Sequence, residues 1–203
     1  MCGRYYLERQ LPDERLRRQI ARAEEIAKKL GVSIRTEGEL HPTEIVPVLA
    51  PSSLNRAIGA FPMRWGFSHP KRGMLVFNTR METATEKALF VTSVNERRCL
   101  IPASGYYEWK TVDREKKRKQ RFRFIAENGE PLYLAGLYLR TNDPHQLPCF
   151  SILTQNAEPE IRSIHPRMPV AVPASRAEEW LSPETDFQTM LRNLRVPIAA
   201  RPE

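Results

Sequence analysis

The amino-acid sequence predicts a single α+β domain: a curved sheet with helices at its periphery. One N-terminal stretch has helical spacing, and beyond it short apolar runs follow one another, separated by Pro, Gly and Asn. No repeat, low-complexity linker or change of composition interrupts the 203 residues, a length that suits one core built without disulfides.

The helix comes first. From Pro12 to Leu30, apolar side chains recur at Leu16, Ile20, Ala23, Ile26 and Leu30, with Pro12 suited to a first turn and Gly31 to a stop. The runs EIVPVLA, AIGAF, GMLVFN, RCLIPA, FRFIAE, PLYLAGLYL and PCFSILT then read as strands of an antiparallel or mixed sheet. FRFIAE and PLYLAGLYL flank Asn128-Gly129, which predicts a hairpin. A second helix is expected over Glu82 to Arg97, and short ones beginning near Glu158, Ala174 and Thr185. The domain is expected to span residues 1–195, with 196–203 as a loose tail.

Composition narrows the function classes. Cys2, Cys99 and Cys149 are odd in number, far apart and without metal-ligand spacing, which fits a reduced compartment. No signal peptide or run of about 18 apolar residues is visible, so a cytoplasmic protein without membrane contact is expected. The net charge of +8 suits a polyanionic partner. The four histidines lack metal-ligand spacing, and no GxSxG, HExxH or phosphate-binding glycine loop occurs; neither a metal nor another cofactor is implied.

Four stretches carry polar residues in apolar surroundings. In MCGR, removal of Met1 would leave Cys2 as an unblocked 1,2-aminothiol, with Arg4 as a fork for phosphate or carboxylate. VFNTRMET ends a strand with Asn78, Arg80 and Glu82 at alternate positions on one face. CLIPASGYYEWK sets Glu108 between Tyr107 and Trp109, and RSIHPRMPV fixes His165 before Pro166, flanked by Arg162 and Arg167. Each also has a structural reading: Cys2 as a small buried residue, Asn78 as a strand-end turn residue, Glu108 as a solvated strand residue, His165 as a satisfied loop histidine.

Taken in order, MCGR, WGF at Trp65 to Phe67, NTRMET, ASGYYEWK and IHPRMPV resemble the SRAP family, the SOS response-associated peptidase-like, abasic-site-processing proteins. The resemblance runs from Cys2 to about Trp180. It implies a single SRAP-type domain with a largely antiparallel, barrel-like core. It also implies a monomer that senses abasic sites in single-stranded DNA, associates with the nucleoid when bound, and attaches covalently through Cys2 as a thiazolidine. A peptidase step at Met1-Cys2 and lyase-type release belong to the same implication. So do the roles of Glu108 as general acid/base, His165 as partner of the sugar hydroxyl, and Asn78 as a positioning group. Arg4 and Arg80 would meet phosphates beside the lesion, Trp65, Phe67 or Met81 would stack or wedge against bases, and Arg162 and Arg167 would add DNA contacts.

The chain departs from the family at GELHPTEIVPV, where Glu39 stands in place of the usual Asn. The basic run from Arg114 to Arg123 is expected to lead into a hairpin, either as a solvated loop or as a non-specific phosphate contact. Two other functions compete. An N-terminal-nucleophile amidotransferase also begins Met-Cys-Gly, although Arg4-Tyr5-Tyr6 does not continue that pattern. A non-catalytic single-strand-binding module would need only the charge, and it predicts that Cys2→Ala retains all activity.

Overall fold

The computed structural model describes residues 2–69, 73–113, 115, 118–140, 143, 146–192 and 194–203. Met1, on whose removal the expected exposure of the Cys2 amine depends, lies outside the described residues, as do Arg114, Lys116 and Lys117 of the basic run.

Strand β1 (Tyr5–Leu7) leads to helix α1 (Glu14–Lys29), followed by β2 (Gly38–Leu40), β3 (Ile45–Pro51) and β4 (Ile58–Trp65). Short strands β5 (Phe67–Ser68), β6 (Leu75–Val76) and β7 (Asn78–Arg80) continue through a 3₁₀ turn at Met81–Thr83 to α2 (Val91–Glu96). Next come β8 (Arg98–Ala103), β9 (Gly105–Asp113), β10 (Arg118–Ala126), β11 (Leu132–Leu139) and β12 (Cys149–Asn156). After α3 (Pro159–Arg162), β13 (Arg167–Pro169) and β14 (Ala171–Val172), a 3₁₀ turn at Ala174–Arg176 runs into α4 (Ala177–Leu181); α5 (Phe187–Arg192) and β15 (Ile198–Pro202) complete the order.

Two sheets carry the core. One has the order β15-β10-β9-β1-β2, all antiparallel. In the other, the pairings β4-β3-β8-β11-β12 close on themselves because β12 also pairs with β4, in parallel. The expected α+β class and the barrel-like, largely antiparallel sheet are therefore present, with β4 and β7 the parallel neighbours of β12. Among the described residues, no helix is long and apolar enough to cross a membrane.

Helix α1 forms where its periodicity places it. Asp13 caps it by accepting from the Leu16 N–H at 3.1 Å, Glu14 opens the first turn, and Lys28 and Lys29 close the last, matching the helix dipole. Leu16, Ile20, Ala23 and Ala27 are buried, so the inward stripe ends at Ala27; Leu30 is 55% exposed.

Three expectations differ from the structure. Asn128-Gly129 does make a turn, with Gly129 at φ 74° and Asn128 Oδ1 accepting from the Glu130 N–H. It does not make a hairpin, because β10 has both edges occupied by β9 and β15, while β11 enters the barrel between β8 and β12. The turn hands the chain from one sheet to the other. The helix expected over Glu82 to Arg97 is limited to Val91–Glu96. Thr83 and Thr85, stiff at χ1, sit where turns replace it. Finally, the expected tail pairs with β10 from Phe122↔Pro202 to Ala126↔Ile198. An open β10 edge is a liability that β15 covers, and Pro202 is tolerated there because β15 is itself an edge.

Glycine is required at two crossings. A Cβ at Gly136 in β11 would lie 2.6 Å from Ile101 Cδ1 and 2.9 Å from Cys99 Sγ, and one at Gly105 would collide with the Phe124 carbonyl and the Tyr6 ring. Gly105→Ala is expected to cost about 2–3 kcal/mol by overpacking. In thermal melts this reads as a Tm lower by roughly 5–10 °C.

Candidate active site

β1 draws the N-terminus into the fold by pairing with β2 on one edge and β9 on the other. Cys2, just upstream, is fully buried, and its thiol points at the Arg4 carbonyl 3.9 Å away. Asn78 begins β7 beside Ile152 of β12 and donates from Nδ2 to the Cys2 carbonyl at 2.8 Å. A side chain 76 positions away in sequence thus fixes the peptide next to the thiol.

Glu108 lies in β9 opposite Phe122 of β10. Strand alternation turns it inward with Tyr106, while Tyr107 and Trp109 take the other face. It is 5% exposed. His165 follows α3, with its N–H donating to the Ile161 carbonyl at 3.2 Å. Its Nδ1 lies 2.9 Å from the Arg167 carbonyl, 3.1 Å from the Arg167 backbone nitrogen and 3.9 Å from Glu108 Oε1. Cys2, Asn78, Glu108 and His165, from four separate stretches, therefore meet in one place.

The electrostatics favour a neutral thiol. Burial pushes the Cys2 thiol well above its ordinary range, and the negative charge of Glu108 pushes it further. Burial likewise raises the Tyr106 phenol, with Cys2 and Glu108 adding to the effect, and the Tyr5 phenol, with Cys2 and Glu44 adding. Among the described residues, Tyr5 Oη, Tyr106 Oη and Asn78 Oδ1 are buried without a hydrogen-bond partner. Unmet polar atoms beside Cys2 are costly unless something polar enters. The two tyrosines escaped sequence reasoning, although alternation placed Tyr106 on the face of Glu108.

These shifts set a pH dependence. Cys99 is also raised by burial. An acid whose folded pKa exceeds its unfolded value keeps its proton only in the folded state, so stability is full below the unfolded pKa and declines above it. With two such thiols the loss begins near pH 8.5 and amounts to about 2–3 kcal/mol by pH 9.5. Melts at pH 7.5 and 9.5 check this, and Cys99→Ala is expected to flatten the decline.

The residues expected to face DNA are distributed unevenly. Arg80 is exposed at the end of β7, and Arg4 has 42% of its side chain accessible. Met81 and Phe67 are half-buried, Phe67 against Phe90 at 6.0 Å between ring centroids. Arg162 is exposed and reaches the Ala157 carbonyl at 3.2 Å.

Two placements correct the expectation. Trp65 has no exposed surface: its Nε1 donates to the Phe77 carbonyl at 2.9 Å and its ring packs 5.2 Å from Tyr5, so it props the site from within and offers no face to a base. Arg167 is spent on Glu82, Asn156 and the Thr154 carbonyl, at 2.6–2.9 Å. Glu82 reaches it because β7 stops at Arg80 and the 3₁₀ turn swings Glu82 off the strand face it was expected to share. The hydrogen bond from Arg167 holds the Glu82 carboxyl below its usual range.

Comparison with known proteins identifies relatives of the whole chain. A family model described as SOS response associated peptidase (SRAP) matches residues 1–201. Abasic site processing protein YoqW of Bacillus subtilis is 31% identical over 215 residues, covering 98% of this chain and 88% of its own. Abasic site processing protein YobE of the same organism is 33% identical over 178 residues, covering 81% and 79%. The crystal structure of a phage-related protein from Bordetella bronchiseptica superposes with a TM-score of 0.75 at 23% identity, over 100% of this chain and 94% of that one, a likeness of fold.

Proposed function

Because the chain belongs to the SOS response associated peptidase family, we propose that it processes abasic sites in single-stranded DNA, capturing the lesion on Cys2 as a thiazolidine. The observation that carries this is the Asn78 bond to the Cys2 carbonyl, which holds the first residue of a processed chain within the field of Glu108. The relatives named as abasic site processing proteins support the substrate class.

The chemistry follows from the groups present. An abasic sugar opens to an aldehyde at C1′. Once Met1 is hydrolysed away, the Cys2 α-amine, with an ordinary pKa of about 7.7–8.0, is partly neutral and attacks that carbon. The carbinolamine loses water to give an imine. The Cys2 sulfur then bonds to the same carbon while the thiol proton passes to the imine nitrogen, so aldehyde plus aminothiol gives thiazolidine plus one water.

Proton handling falls to Glu108. A buried, neutral thiol needs an adjacent base at the moment of attack, and the nearby carboxylate serves as one. His165, 3.9 Å from Glu108, protonates the sugar oxygen released on ring opening. Tyr5 Oη, Tyr106 Oη and Asn78 Oδ1 supply the polar lining for the sugar hydroxyls. Arg4 and Arg80 hold flanking phosphates.

The test is a denaturing gel of Met1-free protein incubated with a labelled single-stranded oligonucleotide carrying one abasic site. A heat-stable adduct that is absent with undamaged DNA supports capture. Binding in a native gel without any adduct would replace covalent capture with plain strand binding.

A further inference from the structure

Arg4, Glu39 and Arg121 form a charge cluster on the face of the five-stranded sheet opposite Glu108. The Glu39 carboxylate bridges two guanidiniums: Oε1 lies 2.9 Å from Arg4 Nη1 and Oε2 lies 2.7 Å from Arg121 Nη2. The arginines come from segments with β9 between them, so Arg121 reaches across the sheet. Their planes are held by aromatic faces. Arg121 Cζ sits 3.6 Å from the Tyr107 ring centroid and Arg4 Cζ sits 5.0 Å from that of Trp109. His41 Nε2 at 3.8 Å from Glu39 and Glu203 at 3.2 Å from Arg121 Nε complete the surroundings.

Two oxygens on one centre, each facing its own guanidinium fork, is the arrangement that a phosphodiester presents with its two non-bridging oxygens. The cluster is open to exchange, because Arg4, Glu39 and Arg121 side chains are 42%, 28% and 29% accessible. Ion pairs this exposed contribute little, so a competing anion displaces the carboxylate at small cost. Arg4 is also only two residues from Cys2, about 7 Å of extended chain, within reach of the backbone beside a captured lesion.

We infer that Arg4 and Arg121 form a phosphodiester-binding subsite of this chain and that Glu39 occupies it as an internal stand-in until a DNA strand displaces it. The inference rests on the strand-binding part of the proposed function and adds to it Arg121 and the competing carboxylate. A neutral side chain at position 39 would free the Nη groups of both arginines, with Glu203 still beside Arg121 Nε, whereas Glu39 weakens attachment to strands in general.

Fluorescence anisotropy of an undamaged single-stranded oligonucleotide tests it, since this reads binding without Cys2 chemistry. At one fixed salt concentration, Glu39→Gln and Glu39→Asn are each expected to bind about three- to tenfold tighter than wild type. Adding Arg121→Ala to Glu39→Gln is expected to abolish that gain. If Glu39 only positioned Arg4, both neutral variants would bind equally or more weakly, and the inference would be overturned. A gain that survived Arg121→Ala would remove Arg121 from the subsite and overturn it as well. Wild type that bound strands and formed adducts without any Glu39 effect would sink this inference alone, whereas absence of binding in every variant would sink the proposed function with it.

Discussion

Cys2→Ala, purified without Met1, is expected to form no adduct with abasic DNA while binding the strand as wild type does. Alanine keeps the α-amine, so an imine can still form, but no sulfur remains to close the ring and the imine returns to aldehyde and amine in water. The stability cost is about 1 kcal/mol, because a single buried sulfur is removed and leaves a small cavity. Cys2→Ser separates the roles further: oxygen replaces sulfur and the resulting ring is far less stable, so an adduct that persists in Cys2→Ser would remove sulfur from the mechanism. The check is the heat-stable fraction on a denaturing gel beside the native-gel affinity.

Glu108→Gln is expected to slow adduct formation about 10²- to 10⁴-fold, the range for removing a positioned general acid/base. Shape is conserved, so strand affinity is expected to stay near wild type. A second readout distinguishes catalysis from support. Glu108 is one of the charges that push the Cys2 thiol up, so its neutralisation brings the thiol back toward its ordinary range. Alkylation of Cys2 by iodoacetamide is therefore expected to accelerate in Glu108→Gln while adduct formation slows. A merely structural Glu108 would move both rates in the same direction.

The parts of this molecule that a sequence exposes are those encoded by local spacing. Helix α1 was visible because Leu16, Ile20 and Ala23 repeat on one face between Pro12 and Gly31, whereas the capping role of Asp13 came only with the structure. RCLIPA emerged as β8 with the boundaries of its apolar run. What the sequence concealed depends on which edges meet. The Asn128-Gly129 turn was legible, but that it joins two sheets follows from β15 taking the far edge of β10, a pairing encoded in the last residues of the chain, far from the turn. The C-terminal segment read as loose for the same reason.

The candidate site divides along the same line. Cys2, Asn78, Glu108 and His165 stood out as polar residues in apolar runs, and the fold gathers them. Trp65 was expected to stack on bases only from the family resemblance, and an aromatic beside glycine reads alike in a core and at a surface; its burial against Tyr5 and Phe150 distinguishes the two. Arg167 was indistinguishable from a phosphate ligand until the 3₁₀ turn at Met81–Thr83 delivered Glu82 to it. The bridge from Glu39 to Arg121 spans 82 positions and left no signal beyond the unusual Glu itself.

The most direct measurement is the mass of the N-terminal peptide after nuclease and protease digestion of the adduct formed without any reductant. Thiazolidine closure predicts that this peptide, beginning at Cys2, carries the sugar remnant with one water lost, and that Cys2 no longer reacts with iodoacetamide. An adduct that survives only after borohydride reduction, leaves Cys2 alkylatable, or maps to a lysine would contradict capture through the N-terminal aminothiol.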